Sequence, residues 1–491
     1  MKDRLPRYLL MVVAVLLLTL TVARIARSWA NDSHIEHVSA VWVAMALDLS
    51  HGTFYRAPFG PQGYGGTRFF PLYFVLHALF IKLLHGWRVG GYFLSAMSIV
   101  LLLTGVFYLL RRLGADRWIA CACTLAVLAG ASAQDSLLTI REDGMASMLN
   151  IWGVALCTTD QFSGRRLWAA ATLFALAFAT KETSLFGIAA IFLWLLLRRN
   201  VAAAWRLLAL TGAECLVVVA VMYFASEGRA FEALRVALSA GMSFRSLLQS
   251  PATLVQTLNG YVAETVLLVL AVTALLLHFT GSAGRRFHSF SMSLTSLLFL
   301  CTLAVTLIIF SSEGTAGNHL LDLHVASVVL FGAWASEASL PQWGVAAPAI
   351  ASLLAWFSLL PQHKQVDFVP LRKELQEIVR AIGSTSKPIL SENPLVPITA
   401  GQQPYLLDPF MFRVMREKNP AVAESMWRML AAKQFAAVVL MDDPDSDYGQ
   451  DVYSHYHFGE GFVEQMRKYY EMADAPGEQY LFLPRADLGR P

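Results

Sequence analysis

Four short polar clusters in a strongly apolar chain carry the residue types that could do chemistry. In the first, the segment 31–37, Asp32 and Glu36 lie four residues apart, so both carboxylates would share one face of a helix. A positioned carboxylate can act as a general base that removes the proton of a hydroxyl group. The alternative is structural: Asn31, Asp32 or Ser33 would then only cap the apolar helix that follows.

The other three clusters combine acidic, cationic and amide side chains next to apolar runs. They are Arg141-Glu142-Asp143, Lys181-Glu182-Thr183 and Asn318-His319-Leu320-Leu321-Asp322. Structural roles are open for the first two, because Glu142 and Asp143 could complement the N-terminal dipole of a helix and the second cluster could keep a turn hydrated. In the third, His319 and Asp322 are i, i+3 neighbours. Asp322 already lies inside an apolar run, where a carboxylate needs a partner.

Together the clusters offer the groups that transfer from a phosphate ester requires. A carboxylate of the first cluster could deprotonate the acceptor hydroxyl. Cations of the later clusters could hold the departing phosphate by charge-assisted hydrogen bonds: Arg141, Lys181, His319 and, in addition, Arg68. Supporting roles fall to Glu182, Asn318 and Asp322. Loss of Arg141 or Lys181 should lower turnover about a hundredfold and leave folding nearly unchanged, because charges in exposed turns contribute little to packing.

The composition is that of a membrane protein. Hydrophobic residues make up 56% of the 491 residues, charged residues make up 15%, and the mean hydropathy is +0.51. Soluble domains have about 45–50% apolar and about 25% charged residues. These values argue against a water-soluble enzyme, a disordered chain or a secreted disulfide scaffold. The five cysteines lie in apolar runs, without the spacing of a disulfide framework or a zinc site.

A membrane-crossing helix needs about 20 mostly apolar residues, and eleven runs of the chain approach this length. They are 8–26, 88–110, 118–134, 144–159, 167–180, 183–197, 207–225, 262–280, 290–310, 320–336 and 343–360. A further run, 69–84, is not counted, because including it would move the arginine clusters of the later loops to the outer side, whereas Lys and Arg favour cytoplasmic loops. It is expected to lie in the outer interface or to dip part-way into the membrane.

This topology places the N-terminus inside and all four polar clusters outside. The expected fold is an α-helical polytopic membrane protein of about eleven spans over residues 1–360, whose first outer loop is 30–87. The tail, 361–491, also lies outside, which in a bacterium is the periplasmic side of the inner membrane. It contains 14 Lys and Arg against 18 Asp and Glu, a net charge of −4, whereas the rest of the chain has 24 against 17, a net charge of +7.

The tail has the pattern of a small α/β domain. Helical periodicity covers 371–382, 421–432 and 460–470, and short β-like runs cover 387–390, 436–441 and 480–483. No glycine-rich phosphate loop introduces these elements and no nucleotide-binding motif occurs elsewhere, so no nucleic acid partner is expected. A transferase on the outer face must then take its group from a lipid carrier. Polyprenyl-phosphate sugars suit such a site, since the lipid stays in the bilayer while the sugar protrudes.

The order of these motifs resembles the GT-C superfamily of integral-membrane glycosyltransferases. The acidic first loop is followed by Gly52-Thr53-Phe54-Tyr55-Arg56, by Phe70-Pro71-Leu72-Tyr73 and by the three later clusters. Within the superfamily, the aminoarabinose lipid A transferases and the protein mannosyltransferases are the most similar groups. The resemblance covers residues 1–340, and the tail resembles the variable outer domain that many members carry.

The resemblance implies inverting transfer from a polyprenyl-phosphate sugar to a hydroxyl of a lipid, glycan or protein acceptor. It assigns the base role to Asp32, with Glu36 second, and it matches Asp143 to the acidic residue of the second outer loop. The adjacent Asp-Glu pair usual in the superfamily is Asp32-Ser33 here, so the choice between the two carboxylates stays open. Some members use a divalent metal ion, for which Asp32, Glu36 and Asp143 could supply oxygen ligands.

Two other classes of function compete with a transferase. A transporter or lipid flippase would commonly show inverted repeats and charges near the membrane midplane, whereas the charges here lie at one interface and no repeat is evident. A non-catalytic membrane scaffold could keep the same fold to carry its tail. Turnover of a polyprenyl-phosphate sugar would separate the transferase from both.

Overall fold

The computed structural model describes residues 5–158, 164–239, 243–280, 290–312, 315, 317–338, 370–473, 477 and 479–486. The front part is helical throughout. Its helices are α1 (Leu5–Asn31), α2 (His37–Ser50), α3 (Pro71–Leu84), α4 (Trp87–Arg112), α5 (Arg117–Ala129), α6 (Ala131–Leu138), α7 (Asp143–Cys157), α8 (Gly164–Thr180), α9 (Phe186–Leu197), α10 (Val201–Ala225), α11 (Arg229–Ser239), α12 (Phe244–Leu258), α13 (Val262–Thr280), α14 (Phe290–Ile309) and α15 (Leu320–Glu337). A short 3-10 turn, Gly317–His319, precedes α15.

Helices in this part coincide with the predicted apolar runs as far as 320–336, and the predicted run 343–360 lies outside the described residues. Among the described residues, five helices are long and apolar enough to cross a membrane, or six if the bent pair α5 and α6 forms one span. The large apolar side chains of α1 and α10 are widely exposed; examples are Val15, Val22, Leu216 and Phe224. Such surfaces are normal against lipid and unfavourable in water.

The uncounted run 69–84 forms a helix of its own. Helix α3 has 14 residues and starts with Pro71 at its first position, where a missing backbone N–H costs nothing. At 1.5 Å per residue it is about 21 Å long, shorter than the roughly 30 Å hydrocarbon core. Its length agrees with a segment that does not cross the membrane.

The predicted span 118–134 is built from two helices rather than one. The chain bends by 65° between α5 and α6, at Gly130. Glu264 of α13 reaches this break and accepts hydrogen bonds from the backbone N–H and the hydroxyl of Ser132, at 2.8 and 2.9 Å. A β-carbon at Gly130 would lie 2.5 Å from Nε2 of His324, so only glycine allows this approach. The break therefore has its backbone satisfied from a neighbouring helix.

The tail is the expected α/β domain. Its elements are α16 (Leu371–Ile382), β1 (Ile389–Ser391), α17 (Leu395–Thr399), α18 (Pro409–Lys418), α19 (Ala421–Ala431), β2 (Ala437–Leu440), α20 (Asp447–Asp451), a π-helical turn (Val452–Tyr456), α21 (Phe462–Arg467), β3 (Tyr470–Ala473) and β4 (Tyr480–Pro484). The sheet order is β1-β2-β4-β3. Strands β1 and β2 are parallel, with Ile389 opposite Ala437, and β4 runs antiparallel to both of its neighbours. Both β1 and β2 are fully buried. Strand β3 was not expected from the sequence.

The first outer loop and the tail are joined by a buried ion pair. Arg56 donates to both carboxylate oxygens of Asp48, at 2.6 and 2.8 Å, and to the carbonyl of Pro404 in the tail, at 2.6 Å. Gln403 of the tail also donates to Asp48, at 3.0 Å. Beside this pair, the backbone of Tyr64 exchanges two hydrogen bonds with the tail. The tail is therefore fixed to the loop by groups that lose their partners if either side moves.

Replacing Asp48 with alanine should strongly destabilise the protein, because Arg56 would remain buried without a counter-charge. Removing one partner of a buried pair costs about 3–5 kcal/mol. Thermal unfolding and proteolysis of the tail in detergent would measure the loss. The matched control is Asp451→Ala, which breaks an exposed pair with His455 and should change stability by less than about 1 kcal/mol. Equal effects of the two variants would contradict this assignment.

Candidate active site

A cavity of about 430 Å³ lies between the helical part and the tail. The helical part forms one wall of the cavity. This wall includes Glu36, Arg141 and Asp143 of the first and second polar clusters and Asn318 of the fourth. The opposite wall belongs to the tail and includes Glu374, Asn393, Met441 and Gln479. Residues of three of the four clusters, which lie far apart in sequence, thus meet at one cavity.

Asp143 is the centre of a buried charge network. It is the first residue of α7, its side chain is 3% exposed, and it accepts a hydrogen bond from Nζ of Lys181 at 2.6 Å. Arg141 Nε lies 3.3 Å from its other oxygen, and the Asn318 amide donates to both oxygens at 3.1 and 3.2 Å. Burial alone would raise the pKa of Asp143, but Lys181 and Arg141 outweigh burial and hold this pKa well below its usual range. The carboxylate is therefore ionised at neutral pH.

Glu36 is the accessible carboxylate of the site. It precedes α2 in an extended conformation, makes no capping hydrogen bond with its side chain, and keeps 49% of that side chain exposed. Its partner is Arg141, which bridges Glu36 and Asp143 and is itself largely buried. One guanidinium therefore links the solvated carboxylate on the cavity wall to the buried one behind it.

Asp32 is not among the residues that line this cavity and does not share a helix face with Glu36. It follows α1 in a turn with φ of 56°, a conformation that aspartate tolerates better than most residues. Its buried side chain accepts hydrogen bonds from Arg88 at 2.7 Å, from Tyr92 at 3.1 Å and from Arg372 of α16 at 3.1 Å. The alternative prediction, that Asn31, Asp32 or Ser33 caps the helix that follows, is also wrong, because Glu36 occupies the N-cap position of α2. Asp32 joins α1, α4 and the tail.

The remaining predicted cations lie behind or beside the cavity wall. Lys181 also donates to Nδ1 of His319 at 3.0 Å, so the two form a buried row behind Asp143. Arg68 stacks on the ring of Phe410 in the tail, 4.6 Å from its centroid. Of the four predicted phosphate ligands, only Arg141 is among the residues that line this cavity.

The surroundings of the acidic residues that were predicted to support the site indicate structural roles for them. Asp322 accepts a hydrogen bond from the hydroxyl of Ser147, which is the partner that a carboxylate in an apolar run needs. Burial raises the pKa of Glu182, and burial with the charge of Asp143 raises the pKa of Glu142 to about 7. Glu142 is therefore partly protonated near neutral pH.

Several cavity residues were not found from the sequence. Asp135 of α6 and Tyr261 line the helical side, and Gln479 and Asn393 line the tail side. Within the described part of the chain, Oδ1 of Asn318 and Oε1 of Gln479 are buried without a hydrogen-bond partner. A signal existed only for Asp135, a carboxylate in a segment predicted to face outward. The tail residues have ordinary sequence surroundings, and only the fold places them here.

The carboxylates suggested as metal ligands do not converge. Both oxygens of Asp32 accept hydrogen bonds from arginine or tyrosine, and Asp143 is neutralised by Lys181, Arg141 and Asn318. Among the described residues, no three His, Cys, Asp or Glu side chains are grouped so as to hold a metal ion. The residues present do not fit the divalent ion that the resemblance implies, and no step is derived through one.

Similarity to known proteins is found at the level of structure. No protein-family model matches the sequence, and no curated protein matches it. ArnT from Cupriavidus metallidurans in the apo state has a TM-score of 0.61 at 13% identity, over 97% of this chain and 99% of that chain. ArnT bound to undecaprenyl phosphate has a TM-score of 0.59 at 11% identity, over 96% and 99%.

An archaeal enzyme shows the same likeness. The Archaeoglobus fulgidus oligosaccharyltransferase in its apo form has a TM-score of 0.59 at 12% identity, over 99% of this chain and 75% of that chain. Its complex with an inhibitory peptide and a dolichol-phosphate has a TM-score of 0.56 at 12% identity. The chain therefore has the fold of the GT-C integral-membrane glycosyltransferases, with a small α/β domain at its C-terminal side.

The buried position of Lys181 corrects one expectation from the sequence. Only 7% of its side chain is exposed, so its removal should not leave folding unchanged. We expect Lys181→Met to destabilise the protein by about 3–5 kcal/mol, because Asp143 loses its closest counter-charge. The double variant Lys181→Met/Asp143→Leu should be more stable than the sum of the single losses predicts. Additive losses in thermal unfolding would show that the two side chains do not interact.

Proposed function

We propose that this protein is a glycosyltransferase that moves a sugar from a polyprenyl-phosphate carrier to an acceptor hydroxyl on the outer face of the membrane. The observation that carries the proposal is the cavity in which Glu36 and Arg141 lie side by side. A carboxylate next to a guanidinium supplies a base for the acceptor and a cation for the leaving phosphate. The fold adds support, because structurally similar proteins were solved with undecaprenyl phosphate or dolichol-phosphate bound.

In this proposal Glu36, rather than Asp32, is the general base. Glu36 reaches the cavity and is half-exposed, whereas Asp32 is buried and held by Arg88, Arg372 and Tyr92. The oxygens of a buried carboxylate that accepts hydrogen bonds from two arginines and a tyrosine are already occupied, which leaves it less available to a substrate hydroxyl. Asp32 then acts as an anchor between helices and tail.

Arg141 gives the site a way to activate Glu36 when the donor binds. Its guanidinium forms an ion pair with the carboxylate of Glu36 and so occupies that group before the donor binds. A phosphate that binds Arg141 competes for the same N–H groups and frees the carboxylate. Glu36 then takes the proton of the acceptor hydroxyl, the oxygen bonds to the anomeric carbon, and the bond from that carbon to the phosphate oxygen breaks. Polyprenyl phosphate leaves with the electron pair, and Arg141 stabilises its charge.

We propose that Asn318 and Gln479 contact the sugar. Both residues line the cavity, and their side-chain oxygens are buried and, within the described residues, accept no hydrogen bond. A buried acceptor without a partner costs about 1–3 kcal/mol. Sugar hydroxyls are donors of the right kind for such oxygens, so the part of the cavity lined by Asn318 and Gln479 is the proposed sugar position. The acceptor can be a lipid, a glycan or a protein.

The test of the base assignment compares two conservative variants. Glu36→Gln should lower turnover of radiolabelled polyprenyl-phosphate sugars by about 10²–10⁴-fold while donor binding persists, because the amide cannot take a proton. Asp32→Asn should instead lower the yield of folded protein or expose the tail to protease, and it should keep its turnover per folded molecule. The reverse pattern would make Asp32 the base. Donor binding by the wild type without any turnover would instead favour a flippase or a scaffold.

We also propose that the protein lies in a bacterial inner membrane with its tail and polar clusters outside. The apolar helices agree with a membrane position, and the arginine clusters of the alternate loops favour this orientation. A reporter that is active only in the periplasm should be active when fused after Pro361 and silent when fused at Arg112. The opposite activities would place the cavity on the cytoplasmic side and remove the argument for a lipid-linked donor.

A further inference from the structure

A buried carboxylate of the tail, Glu392, organises the wall of the cavity without lining it. Its Oε2 accepts hydrogen bonds from the backbone N–H of Met441 at 2.7 Å and from the hydroxyl of Tyr453 at 3.0 Å. Its Oε1 accepts one from Nδ1 of His457 at 2.5 Å. The partners come from two separate segments, the end of β2 and the π-helical turn with His457 after it, and the Glu392 side chain is 1% exposed. Breaking any of these bonds leaves a buried charge unsatisfied.

The position of Glu392 explains why the tail has a defined cavity wall. Strands β1 and β2 are parallel, so their carboxyl ends lie at the same edge of the sheet. Glu392 follows β1 and Met441 follows β2, and the hydrogen bond between them fixes one strand end against the other. Asn393 and Met441 both line the cavity. The Glu392 carboxylate therefore positions Met441 through this hydrogen bond and positions Asn393 as its neighbour in the chain.

His457 connects Glu392 to the helical part of the protein. Its ring lies edge-on to the ring of His37, with 5.1 Å between centroids and an interplanar angle of 74°. His37 is the first residue of α2 and follows Glu36 directly. A tail residue that is hydrogen-bonded to Glu392 thus packs against the neighbour of the proposed base.

We propose that Glu392 and His457 are positioning residues for the transfer reaction, which hold the first turn of α2, and with it Glu36, in register with the tail wall of the cavity. This inference rests on the proposed function for its kinetic consequence only. Neither residue touches the cavity. Their effect is geometric, and a displacement of about 1 Å in a reacting group can cost about a hundredfold in rate.

The charge state of His457 supports the same arrangement. Burial lowers its pKa, but the hydrogen bond and charge of Glu392 outweigh burial, with smaller contributions from Asp408 and Asp442, so the pKa lies above its ordinary value. The facing ring of His37 has a pKa lowered by burial and by the charge of His457. Because the pKa of His457 is raised in the folded state, its pairing with Glu392 contributes fully to stability below the pKa that His457 has in the unfolded chain. This stabilisation is lost as the pH rises through the pKa of the folded state.

The experiment compares His457→Gln with His455→Gln, a matched control in the same segment whose side chain is exposed and pairs only with Asp451 among the described residues. In His457→Gln, amide hydrogen exchange should quicken in the first turn of α2 and at Met441, and kcat should fall about tenfold or more with KM nearly unchanged. We expect kcat of the wild type to fall as the pH rises through the raised pKa of His457, and this fall should weaken in the variant. His455→Gln should match the wild type throughout.

A second variant keeps the test decisive if His457→Gln does not fold. His37→Ala removes the ring contact from the helical side and leaves the Glu392 cluster intact, so the tail should stay folded while exchange at α2 quickens and kcat falls. Unchanged exchange at α2 in both variants would overturn the inference. Faster exchange with unchanged kcat would overturn the positioning role. If the wild type has no transferase activity, the exchange result still decides the coupling, and only the proposed function fails.

Discussion

The neutralisation of Asp143 is the interaction on which the site depends. The carboxylate is buried at the start of α7, and burial of an isolated charge is too costly for a stable protein. Lys181 after α8, Arg141 before α7 and Asn318 before α15 all turn toward it. Segments that are far apart in sequence are thus fixed at one point. Arg141 then has a defined direction in which to present its remaining N–H groups to Glu36 and to the cavity.

The tail is integrated with the helical part rather than attached to it as an independent domain. It meets the helical part through the ion pair of Asp32 with Arg372 and through hydrogen bonds from Arg56 to Pro404 and from Gln403 to Asp48. It also supplies one wall of the cavity. A site closed on one side by lipid-facing helices and on the other by a water-facing domain can hold an amphipathic substrate at the boundary of the two phases. This is the geometry that a lipid-linked sugar requires.

The sequence predicts the helical membrane fold, the α/β tail and the convergence of the polar clusters, because apolar length and charge placement determine these features locally. Roles within the clusters depend on long-range packing. The four-residue spacing of Asp32 and Glu36 suggested one helix face, yet the turn after α1 separates them. The bend at Gly130 depends on Glu264 of another helix, which no local pattern contains. Lys181 resembles a solvated turn residue until the fold buries it against Asp143.

The contact between Asp32 and Arg372 has a consequence for biogenesis. The two residues are 340 positions apart, so the first loop emerges from synthesis long before its tail partner exists. At about 5–20 residues per second, the interval is roughly 20–70 s. During that time Asp32 has only Arg88 and Tyr92 as partners once α4 is inserted. The cavity is then completed last, when the tail docks, so a nascent chain has no assembled site for the proposed substrate.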